Sequence, residues 1–157
     1  MLTFDRGIKQ NRLPPHLVTA CTDFAHALAT AQAGPTSASL LQYFRSDAFF
    51  MPHNHDRPQA GLGSLRTYWR RHASLFHGAL IRLQEIKRSR ATTAAVRFEL
   101  QMKSGVLLHG IVHLREEPES EQWLISHLWL RQETETNRPT QSQKTLKKTK
   151  HEVQQVA

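Results

Sequence analysis

The chain has 157 residues, 39% of them apolar, which suits one domain with a buried core. Its single cysteine, Cys21, excludes an intrachain disulfide. No apolar run is long enough to span a bilayer and Met1 to Arg12 lacks the apolar stretch of a secretion signal, so the cytoplasm is the expected setting. The formal charge of +8 is spread along the chain, with 16 Lys and Arg against 10 Asp and Glu in residues 1–131 and 5 against 3 in residues 132–157. No helix-turn-helix, zinc-finger spacing or aromatic ribonucleoprotein motif concentrates that charge, so neither nucleic acid nor a membrane is expected as a partner.

Pro14-Pro15 can open a helix, and His16 to Ala33 follows with Leu17, Cys21, Phe24, Ala25 and Leu28 at helical spacing before Gly34-Pro35 stops it. Ser37 or Ser39 can cap a second, short helix over Leu40 to Ser46. Ala48-Phe-Phe-Met51 reads as a strand running into the polar loop Pro52-His-Asn-His-Asp-Arg-Pro58. After Gly61 and Gly63, Ser64 can cap an amphipathic helix to about Leu75 that turns Leu65, Tyr68, Trp69 and His72 inward and Arg66, Arg70 and Arg71 outward.

Beyond Gly78 the apolar period changes from that of a helix to alternation. Ala79–Ile86, Thr92–Met102, Val106–Arg115 and Gln122–Arg131 are four successive strand candidates whose short links require antiparallel pairing. The fold class is therefore α+β, with helices on one face of a curved antiparallel sheet. From Glu133 onward apolar periodicity is lost and Thr, Gln and Lys accumulate. Residues 1–131 are expected to form one domain, and residues 132–157 a basic, disordered tail.

The last two strands carry the most chemistry. With strict alternation, His109, Ile111 and His113 share one face of the first, and Trp123, Ile125, His127 and Trp129 share one face of the second. Leu108, Gly110, Val112 and Leu114 occupy the other face with Leu124, Ser126, Leu128 and Leu130. This pattern predicts a hairpin covered on both sides, with imidazoles and indoles lining either a pocket or a packed interface.

The order of elements resembles the nuclear transport factor 2-like superfamily and, within it, the SnoaL-like proteins. The likeness rests on Ser46-Asp-Ala-Phe-Phe-Met51, Gly63-Ser-Leu-Arg-Thr-Tyr-Trp69, Leu108-His-Gly-Ile-Val-His-Leu-Arg115 and Trp123-Leu-Ile-Ser-His127, and spans roughly residues 16–131. It implies a cone-shaped sheet wrapped round an apolar pocket, dimerisation through the outer sheet face, and members that include ketosteroid isomerases, polyketide cyclases and scytalone-type dehydratases beside non-enzymatic association domains. The four strands after Gly78 carry no aspartate, so histidines would replace the carboxylate of the enzymatic members. His109 matches the position before the Gly of the penultimate strand, and His127 the His of the Trp-x-Ile-x-His pattern.

An imidazole titrates near neutrality and can both take and return a proton, so His109 is the first candidate for acid/base work, with His127, His53 and Asp56 assisting. The alternative for each histidine is a hydrogen-bonded place in a half-buried sheet or a dimer interface. Phe50, Tyr43, Trp69, Phe98, Trp123 and Trp129 are candidates to contact an apolar or aromatic ligand, or else plain core. His53 and His55 have metal-ligand spacing, but the accompanying Glu of a cupin-like site is missing, and no metal or other cofactor is expected. Two functions stay open: a cofactor-independent isomerase, cyclase or dehydratase acting on an apolar or aromatic carbonyl compound, and a non-catalytic ligand-binding or dimerisation module. A homodimer is expected in both.

Overall fold

A computed structural model describes residues 2–54 and 56–133 and leaves the Asn11 side chain undescribed. Helix α1 spans Pro15–Thr30 and helix α2 Leu62–His72. Seven strands form one sheet: β1 Leu2–Phe4, β2 Phe44–Met51, β3 Gln59–Ala60, β4 Leu80–Arg90, β5 Thr93–Gln101, β6 Leu107–Glu116 and β7 Trp123–Gln132. Their order across the sheet is β1-β4-β5-β6-β7-β2-β3. The run β4 to β7 is the expected antiparallel meander, whereas β2 joins β7 and β1 joins β4 in parallel.

Pro15 starts α1 because its fixed φ suits a first helical turn whose N–H has no partner to lose. Leu17, Cys21, Phe24, Ala25 and Leu28 form the buried stripe that the spacing predicts. The second helix differs from expectation. Pro35–Tyr43 winds as a 3₁₀ helix, in which Ser37 and Ser39 donate their hydroxyls back to the carbonyls of Gly34 and Thr36, and Phe44–Ser46 already belongs to β2. Ser64 does not cap α2 either. The helix begins after Gly61, whose φ of 82° favours glycine, and the Ser64 hydroxyl bonds to the Gln59 side chain.

The inner face of the sheet carries Ile81, Leu83, Val96, Phe98, Leu100, Leu108, Val112, Leu114, Ile125, Leu128 and Leu130, all buried under the helices. At the other end of the core, Trp69 stacks on Phe50 with centroids 5.1 Å apart and meets Phe76 edge to face at 5.6 Å. Trp69, Phe50 and Phe76 are fully buried, each contributing about 1.5–3 kcal/mol through area removed from water. Strand β7 runs through Gln132, and the Glu133 N–H donates to the Leu107 carbonyl, two residues beyond the expected domain end. The expected tail after Glu133 lies outside the described residues, as does His55.

Candidate functional site

The space between α1 and the sheet, where an enclosed pocket was expected, is filled. The residual cavity there is about 20 Å³, room for a single water, and apolar side chains of α1 and of β4 to β7 line it. Cys21 supplies its one side-chain heteroatom, and burial pushes that thiol up to about 12, so it stays neutral. Of the expected ligand contacts, Phe50, Trp69, Phe98 and Trp123 are buried in the core. Tyr43 is half-buried at the far end, edge-on to Phe24 at 5.8 Å, with its phenol pKa raised by burial and by Asp23.

A β-bulge corrects the face assignment of the final hairpin. His113 stands opposite His127, but the next pair is Leu114 with Ile125, so Ser126 is an extra residue in β7. Its hydroxyl donates to the His113 carbonyl at 3.2 Å. One inserted residue reverses which parity faces inward. Trp123 and Ile125 therefore face the core before the bulge, and Leu128 and Leu130 do so after it, while His127 and Trp129 turn outward. His109 and His113 also lie on the outer face. His109 and Trp123 are thus on opposite sides of the sheet, and the expected grouping of His109, His127, Trp123 and Trp129 around one inner pocket does not form. His109 instead lies with Nε2 3.7 Å from Glu133 Oε1 at the end of β7.

The outer face is a ring-rich surface. His127 stacks on Trp129 with an interplanar angle of 9° and centroids 5.2 Å apart. His113 meets Trp129 edge-on at 4.8 Å and His127 at 5.9 Å, and Phe49 of β2 approaches His127 at 6.3 Å. Partial desolvation and the neighbouring His127 hold the His113 pKa below the usual imidazole value. Ile111, 41% exposed, and Trp129 join Gln84, Arg97, His109 and Arg131 around a shallow groove of about 460 Å³.

A second cluster forms where β2 leaves the sheet. Tyr68 and His72, four residues apart, lie on one side of α2 with ring centroids 4.6 Å apart. The loop after β2 folds toward them, bringing Asp56 Oδ2 to 3.9 Å from His72 Nε2 and setting His53 edge-on to Phe76 at 6.2 Å. Among the described residues, His53 Nδ1, Asp56 Oδ2 and Trp69 Nε1 are buried without a hydrogen-bond partner. Burial lowers the His53 pKa, with Asp56 opposing and His72 reinforcing, which favours the neutral base. Burial and then Asp56 push the Tyr68 phenol up to about 12, against a smaller opposing effect of Asn54, which leaves it a hydrogen-bond donor. His53 and Asp56, two of the candidates, are thus brought together, joined by Tyr68 and by His72, which sequence reasoning placed only as an inward-facing residue. Among the described residues no three His, Cys, Asp or Glu side chains are disposed to hold a metal ion.

The architecture and these two sites can now be compared with known proteins. A putative calcium/calmodulin dependent protein kinase II association domain from Xanthomonas campestris superposes with a TM-score of 0.62 at 16% identity, covering 83% of this chain and 96% of that one. The chain has the nuclear transport factor 2-like fold. A putative ketosteroid isomerase from Parabacteroides distasonis is similar at a TM-score of 0.60 and 14% identity, covering 86% and 98%. A nuclear transport factor 2-like protein of unknown function from Methylobacillus flagellatus gives 0.60 and 12%, covering 78% and 97%. The sequence matches no protein-family model and no curated protein. Among the described residues no helix is long and apolar enough to cross a membrane.

Proposed function

We propose that this protein is an association module that forms a homodimer through the outer face of its sheet. The observation that carries this reading is the contrast between the two faces. The inner one is packed down to a cavity of about 20 Å³, while the outer one leaves Ile111 41% exposed beside the Trp129, His113 and His127 rings. An apolar and aromatic centre rimmed by Arg97, Arg131 and Glu99 has the composition of a protein interface. A similar fold bears the name association domain in Xanthomonas campestris, which agrees with this reading. Sedimentation equilibrium on the full chain tests it: a dimer is expected, reduced to an 18.0 kDa monomer by Ile111→Asp with the fold retained. A wild-type monomer at high micromolar concentration overturns the proposal.

The buried polar groups of the second cluster favour one further reading, acid/base chemistry on a small carbonyl compound of the isomerisation, cyclisation or dehydration type. The protonated Tyr68 phenol would donate to the carbonyl oxygen and the neutral His53 imidazole would accept a proton from the substrate. Similar folds are named ketosteroid isomerase-like in Erwinia carotovora and putative ketosteroid isomerase in Parabacteroides distasonis. In a screen of cyclic ketones and enones, His53→Gln and Tyr68→Phe should each lower turnover by roughly two to four orders of magnitude. Unchanged turnover in both variants removes the cluster from the chemistry.

A further inference from the structure

The outer face is laid out in rows that run across the strands. One row is Lys87, Ala95, His113, His127 and Phe49, and the next is Glu85, Arg97, Ile111, Trp129 and Met51. A third sets Arg82 against Glu99, His109 and Arg131. Two imidazoles therefore sit side by side in the middle of the surface proposed above as the interface.

We infer that the face is gated by pH, with protonation of the His113–His127 pair dissociating the homodimer. This inference rests on the dimer reading.

The geometry supports it in three steps. The rings of His113 and His127 are 5.9 Å apart, so a charge on one opposes a charge on the other. His127 is stacked on Trp129, and Trp129 also meets His113 edge-on, so the indole holds the two imidazoles beside each other. The described carboxylates on this side of the sheet each lie beside another group. From β4, Glu85 is engaged by Arg97, and from β5, Glu99 is engaged by Arg82 and Gln84. From β2, Asp47 is engaged by Arg45, and beyond β7, Glu133 lies beside His109. The remaining charges on this side are positive: Lys87 and Arg90 on β4, Arg115 on β6 and Arg131 on β7.

Closing two such faces against each other removes the imidazoles from water and brings two pairs together, so the dimer selects the neutral form. The sign follows. The dimer lowers the imidazole pKa relative to the monomer, so association is strong above the monomer's value and weakens as pH falls through it. If each subunit must shed one proton to associate, the dimer Kd rises about 100-fold for each pH unit below that point.

The experiment is sedimentation of the full chain at pH 7.5, 6.5, 5.5 and 5.0, with circular dichroism at each pH to confirm folding. A folded dimer at pH 7.5 and a folded monomer at pH 5.0 are expected. A monomer at every pH overturns the dimer reading itself, whereas a dimer at every pH overturns the gate and leaves the dimer standing. His113→Gln with His127→Gln should hold a dimer at pH 5.0, and one that still dissociates there overturns the assignment to these residues. Should that variant fail to associate at pH 7.5, wild-type imidazole titrations followed by proton NMR decide. Midpoints for His113 and His127 that fall with rising protein concentration support the gate, and midpoints independent of concentration overturn it.

Discussion

The ring of Phe98 lies over Gly110 on the neighbouring strand, in the volume a side chain at that position would need. A Cβ on Gly110 would fall within the ring, so the glycine is required by the close approach of a core aromatic, with no unusual backbone angle involved. Gly110→Ala must therefore displace Phe98 from the centre of the inner face. A loss of about 1–3 kcal/mol is expected from overpacking, read as a lower urea midpoint at unchanged slope. A midpoint equal to that of the wild type would show that the ring moves freely.

Cys21 faces the apolar interior at 6% exposure, with its thiol held up at about 12. Native protein at pH 8 should therefore resist a thiol-specific reagent for as long as the core stays closed. Labelling should appear in step with unfolding as urea is raised. Rapid labelling in buffer alone would mean that α1 opens locally from the sheet.

The pKa directions of His53 and His113 make stability depend on pH. Both values are lowered in the folded chain, so the unfolded chain takes up protons first. Their contribution is fully present above the ordinary imidazole value of about 6.5 and is lost as pH falls through it toward the folded-state values. The Tm should decline between about pH 7 and 5, and His53→Gln should flatten part of that decline. A variant with the wild-type slope would assign the effect to other groups.

Ser126 sets the parity of β7, so deleting it differs from replacing it. Ser126→Gly removes the hydroxyl's bonds with the His113 carbonyl and with His127 Nδ1 and should be mild, costing on the order of 1 kcal/mol. Removal of the residue would turn either Trp123 and Ile125 or Leu128 and Leu130 away from the core. That chain is expected to be insoluble or unfolded by circular dichroism, and a well-folded deletion variant would show that β7 tolerates either register.

The same bulge explains where sequence reading ends. Alternation was legible in β5, where Val96, Phe98, Leu100 and Met102 interleave with Arg97, Glu99 and Gln101, because only one parity is apolar. In Trp123-Leu-Ile-Ser-His-Leu-Trp-Leu130 both parities are apolar or aromatic, so a shift of one residue leaves no trace in the pattern. The helical spacing of Leu17, Cys21, Phe24 and Leu28 placed α1 correctly, while the three residues of β1 are too few to announce a strand. The spacing of Tyr68 and His72 on α2 was visible, but the approach of Asp56 to His72 depends on a loop folding back across space, which no local pattern records.

Both margins of the sheet are poor templates for further strands. On one side β3 is two residues long, and on the other β1 covers Ile81 to Leu83. The rest of β4 is irregular, with register shifts near Gln84 and Ser89, and carries Lys87, Arg88 and Arg90. Growth by strand addition, the route to open-ended fibres, is thereby discouraged at each border. A meeting of broad faces related by a two-fold axis has no such continuation, since each copy uses up its one complementary surface, and assembly by that route closes at two.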